Sequence, residues 1–162
     1  IVAANETKIL PVFLKYLKMA IDEMEEGLVL YRAAAINSPE RKRKEAVKEV
    51  VVAEQLQRMM QSDHAILEFE TLRLQLVWEK DKEAFENILY RMENILKDEI
   101  KRTELSLLAA TKDSRLGFQS EQDYVYTPYS LTEKLKIMTE TLNHQLPSAR
   151  KNGYSSKSLP SY

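Results

Sequence analysis

Cysteine is absent from this chain, and glycine occurs only at Gly27, Gly117 and Gly153. Without cysteine there is no disulfide framework and no thiol nucleophile. Three isolated glycines cannot build a phosphate-cradling loop, and they are too few for a turn-rich sheet protein. Neither sign of charge is in excess. The 24 basic residues meet 25 acidic ones, which removes any general attraction to nucleic acid or anionic lipid. No window approaches 18 consecutive apolar residues, so membrane insertion is not expected, and Ile1-Val2-Ala3-Ala4-Asn5-Glu6 lacks the basic and apolar regions of a secretion signal. A start at Ile1 is expected of a domain excised from something longer.

What is present is charge spread over helical patterns. Charged residues make up 30% of the 162, the composition of long surface-charged helices. The clearest stretch runs from Asp81 to Phe118, where Phe85, Ile88, Leu89, Met92, Ile95, Leu96, Ile100, Leu107 and Leu108 recur at the three-and-four spacing of a helix with one buried face. Gly117 is the expected stop, because glycine tolerates the positive φ of a helix end. Upstream, a first helix is expected from Pro11 to about Ala35, with Phe13, Leu14, Leu17, Ile21, Met24, Leu28, Tyr31 and Ala35 on one stripe. Gly27 lies inside it, either as a close-approach point for another backbone or as a weak spot. Ser38-Pro39-Glu40 reads as a cap, a first helical residue and an acidic first turn for a second helix. A continuous helix from Pro39 to Lys112 would reach about 110 Å, too long for one compact domain, so a reversal is expected. Trp78-Glu79-Lys80-Asp81 is the favoured place for it, with Asp81 capping the next helix; Ser62-Asp63 is the other option. A last, shorter helix is expected from Ser130 to about Leu146, ended by Pro147. The expectation is an all-α antiparallel bundle of three long helices plus a shorter C-terminal one, with an extended loop before the last. The bundle domain would occupy residues 1–147 and a tail residues 148–162.

Helical bundles hold di-metal centres through Glu-x-x-His pairs, but His64 and His144 have no carboxylate three residues before them. No metal and no cofactor are expected. Glu140 and His144 form an ordinary one-turn pair, and the basic run Arg41-Lys42-Arg43-Lys44 is bracketed by Glu40 and Glu45, as on a solvated helix face. No spacing singles out a triad or a facing carboxylate pair, so no catalytic residue is expected. Charged residues on or near apolar stripes carry more information. Glu99 falls among Met92, Ile95, Leu96 and Thr103, and Asp63 and Glu70 fall near the line of Met59, Ile66, Leu74 and Val77. Buried carboxylates need partners, and Arg73, Arg102 and Arg115 are the candidates, Arg115 being expected to reach Glu99. The aromatics Trp78, Phe118, Tyr124, Tyr126 and Tyr129 are candidates for docking or for stacking on sugar.

The run Asp113-Ser114-Arg115-Leu116-Gly117-Phe118, preceded by Leu96 to Glu104 and followed by Asp123-Tyr124-Val125-Tyr126-Thr127-Pro128, resembles the C-terminal helical region of large bacterial proteins related to glycoside hydrolases. Ser62, Phe69 and Arg73 fit the same module, and the similarity covers Met24 to Leu142. The resemblance implies a parent protein that degrades glycans, at a bacterial surface or in the periplasm. It implies that acid and base belong to a catalytic barrel in the same parent chain, and none of these 162 residues builds one. The expected function is therefore a non-catalytic accessory domain that packs against that barrel or a partner through its Arg115–Tyr129 side. A stand-alone interaction or scaffold bundle is the alternative, and direct glycan binding is the weaker third reading.

Overall fold

The computed structural model describes residues 9–117 and 126–152. The described residues are helical, with no strand among them: three long helices, then a shorter one after a loop. We number them α1 (Ile9–Ile36), α2 (Glu40–Trp78), α3 (Lys82–Lys112), α4 (Pro128–Glu140) and α5 (Leu146–Asn152). A 3₁₀ turn spans Ser114–Gly117, and a π-helical segment, Thr141–Gln145, joins α4 to α5. The chain divides into two compact units, Ile1–Leu67 and Glu68–Tyr162, the boundary falling within α2.

The second unit holds the larger core. Leu72 and Leu76 of α2 meet Phe85, Ile88, Leu89, Met92 and Leu96 of α3, and Met138, Leu146 and Ala149 close the cluster. These are the positions that three-and-four spacing places on one face of α3, and fully burying a leucine there contributes about 1.5–3 kcal/mol. The reversal falls at Glu79–Asp81. Glu79 Oε1 accepts from the amides of Lys80 and Asp81, both at 2.8 Å, and Asp81 Oδ1 accepts from Ala84 N at 2.8 Å. Asp81 thus satisfies an amide that the first turn of α3 would leave unpaired. Asp81→Ala is expected to cost about 1 kcal/mol, read as a lower urea midpoint at unchanged slope.

Four helix ends differ from the sequence expectation. α3 stops at Lys112, before Gly117: Asp113 takes the cap in an extended conformation, φ −142°, and donates its N–H to Ala109. Ser38 does not cap α2, because its hydroxyl donates back to the Ala35 carbonyl at 2.7 Å and closes the last turn of α1. The last helix starts two residues before Ser130. Pro128 presets φ for the first turn, and Thr127 and Ser130 cap each other reciprocally, the Thr127 hydroxyl accepting from Ser130 N and the Ser130 hydroxyl from Thr127 N. Nor does Pro147 end that helix. Proline has no N–H to give and crowds the preceding turn, and the wider π segment Thr141–Gln145 precedes it, so helical structure continues to Asn152.

In the first unit, α1 buries Ile21, Leu28 and Ala35, and Arg32 Nε reaches Glu54 of α2 at 2.8 Å. Burial pushes the Arg58 guanidinium below its ordinary value against the opposing pull of Glu54.

Candidate functional site

Two features stand out, a buried ionic cluster in the second unit and an open apolar face in the first. The cluster centres on Glu99, 3% exposed on the core side of α3. Its Oε2 accepts from Arg102 Nε at 2.8 Å, one turn along the same helix. Its Oε1 accepts from Lys134 Nζ of α4 at 2.5 Å. Both cations keep a quarter or so of their side chains in water, so a single buried carboxylate is neutralised by two groups that stay partly solvated. Thr103, one turn on, is buried, and its hydroxyl has no hydrogen-bond partner among the described residues.

A second bridge ties α5 to α3. Arg150 Nε donates to Glu86 at 2.9 Å and its Nη1 to Glu93 at 2.8 Å. The hydrogen bond to Glu93 comes first among the causes that raise the Arg150 guanidinium above its ordinary value, with burial opposing. Since Lys134 meets Glu99 and Arg150 meets Glu86, α4 and α5 run antiparallel to α3. Arg91 of α3 likewise meets Glu68 of α2 at 2.9 Å.

The predicted charged residues fall into place unevenly. Glu99 with Arg102 and Glu70 with Arg73 are paired, the latter bidentate at 2.6 and 2.7 Å, but Glu70 is exposed and that pair lies on the surface. Asp63 is exposed too. Arg115 does not serve Glu99. It forks onto Asp113 at 2.6–3.1 Å, the carboxylate two residues before it, while 14 residues of helix, about 21 Å, separate Glu99 from Asp113. Sequence reasoning missed Lys134, whose signal was its place between Leu131, Leu135 and Met138 on the apolar side of α4. It missed Arg150 by placing residues beyond Pro147 in a tail.

Of the aromatics, Trp78 is 81% exposed at the end of α2 and Tyr129 is 77% exposed in the first turn of α4. Antiparallel packing sets Tyr129 level with about residue 104 of α3, some 30 Å along that helix from Trp78, so the two share no platform. Tyr126 is half-buried beside Thr127; Phe118 and Tyr124 lie outside the described residues. Among the described residues no three His, Asp or Glu side chains gather in a metal-holding group, and no helix is long and apolar enough to cross a membrane.

The open face lies on α1. A groove of about 500 Å³ is lined by Met24, Gly27, Leu28, Leu30, Tyr31 and Ala34, with Ala53 of α2. A smaller hollow beside α4 is lined by Thr132, Leu135, Lys136, Thr139, Glu140, Asn143 and His144, where the imidazole stands 3.7 Å from Glu140. Comparison with protein-family models, curated proteins and solved structures finds no match to this chain.

Proposed function

We propose that this chain is a non-catalytic helical accessory module of a glycoside-hydrolase-like, carbohydrate-degrading protein, and that it works by packing against the catalytic barrel of its parent chain. The observation that carries the packing role is the quantity of large apolar surface left open on both units, with Leu30 74%, Trp78 81% and Tyr129 77% exposed. Where such side chains adjoin, as Ile9, Phe13, Tyr16, Leu30 and Tyr31 do along α1, open apolar surface marks a place where another surface sits. The identity of the parent rests on the resemblance of the Ser114–Phe118 run and its flanks. The barrel side is assigned to the stretch from Arg115 to Tyr129, where the exit of α3 and the entry of α4 present Arg115 and Tyr129 to solvent. Any glycan contact would run through the tyrosine stretch of Tyr124, Tyr126 and Tyr129, without Trp78.

Deleting this segment from the parent is expected to leave the barrel's catalytic residues in place and to lower the barrel's Tm by about 2–4 °C, the shift that about 1 kcal/mol makes in a domain the size of a barrel. The isolated 162-residue chain is expected to release no sugar from oligosaccharides. A parent without a barrel would replace this reading with the stand-alone scaffold, and hydrolysis by the isolated chain would end both.

A further inference from the structure

The sequence of α1 divides its circumference into three. At about 100° per residue, Ile21, Leu28 and Ala35 lie on the buried side, and Lys15, Lys18, Asp22, Glu25 and Arg32 on a charged side. Between them runs a second, largely apolar sector, interrupted by Glu23, that the described residues of the first unit leave open. It carries Ile9, Phe13, Tyr16, Leu30 and Tyr31, from 43% to 74% exposed. Along its middle, Ala20, Gly27 and Ala34 recur at intervals of seven, all exposed, and a Cβ placed on Gly27 would meet nothing within 4 Å.

We propose that a second copy of this chain occupies this face, with the two α1 helices antiparallel about a two-fold axis at Ala20. The inference rests on the reading of the chain as a packing module and names one partner of its first unit. Three observations select this occupant. The first is shape. Under that symmetry residue 13 faces residue 27, so the Phe13 ring of each copy enters the groove floored by Gly27 of the other, while Ala20 meets Ala20 and Ile9 meets Tyr31. Bulk opposes space at both ends, the self-complementarity an isologous interface requires. The second is area. The five large side chains together with Val12, at about 200 Å² for each fully exposed residue, offer about 700 Å² per copy, close to the roughly 800 Å² a partner contributes to a stable interface. The third is charge. A parallel pairing would set Glu23, the charged residue within the open sector, against its own copy, whereas the antiparallel one holds the two Glu23 side chains apart on either side of the axis.

The cysteine-free chain makes the test direct. By light scattering across about 1–100 µM, the usual range for a specific dimer of this size, the mass is expected to rise to twice 18.8 kDa. Ala20→Cys, on the axis, is expected to oxidise to a disulfide-linked dimer, and Lys18→Cys, on the charged side, is not. Phe13→Glu is expected to weaken the dimer about 100-fold, as loss of an aromatic anchor does, with helical circular dichroism unchanged because Phe13 is half exposed and outside the buried stripe. A single-chain mass at every concentration, or equal cross-linking of the two cysteine variants, overturns the pairing. A monomer whose presence still raises the barrel's Tm removes this inference and leaves the accessory role; a dimer with no effect on the barrel does the reverse.

Discussion

Leu89→Ala is expected to destabilise the second unit by about 3–5 kcal/mol, the range for a fully enclosed leucine whose surroundings collapse only partly. Leu89 is 0% exposed at the centre of the cluster, between Phe85, Ile88 and Met92 on its own helix and Leu72 and Leu76 of α2. Truncation removes methyl groups from contacts on every side, and the neighbours are held by three separate helical segments, so none can move in without opening another gap. Urea unfolding followed by circular dichroism should show the midpoint drop, and Leu89→Met, which conserves volume, should recover most of it. A loss below about 1 kcal/mol would mean that the core is looser than the enclosed position of Leu89 implies.

The second large effect belongs to Glu99. Removing one member of a buried ion pair costs about 3–5 kcal/mol when its partner is stranded. Here both partners are a quarter or so exposed, so Arg102 and Lys134 can turn toward water, and Glu99→Ala is expected at the lower end, about 2–3 kcal/mol. Glu99→Met, which fills the space without charge, should cost less. A double-mutant cycle with Lys134→Met isolates the bond between α3 and α4, and a coupling energy near zero would show that Lys134 rests beside Glu99 without holding α4 in place.

Much of this architecture was legible in the residues because it is written locally. The α3 stripe from Phe85 to Leu96 keeps strict helical spacing, and the reversal at Glu79–Asp81 carries its own cap, so both were found where they stand. What a helical projection lacks is distance along the axis and any link between one helix and the next. Arg115 and Glu99 look compatible by charge, yet a carboxylate two residues away takes Arg115 first. Lys134 lies 35 residues from Glu99, and only packing reveals that they meet. Pro147 was misread for a different reason. Proline forbids one particular hydrogen bond, and a segment whose bonds are already spaced more widely does not need that bond. The open sector of α1 was half visible: Phe13 and Tyr31 were placed on its buried stripe, although at 51% and 43% exposure they belong to the edge of the uncovered one.

The wide turn at Thr141–Gln145 makes the placement of α5 a question of phase. One residue fewer there would swing everything beyond it by about 100°. Leu146 and Ala149 would leave the oily interior and Arg150 would point away from its two acids, so the number of residues in that stretch is constrained as tightly as their kind.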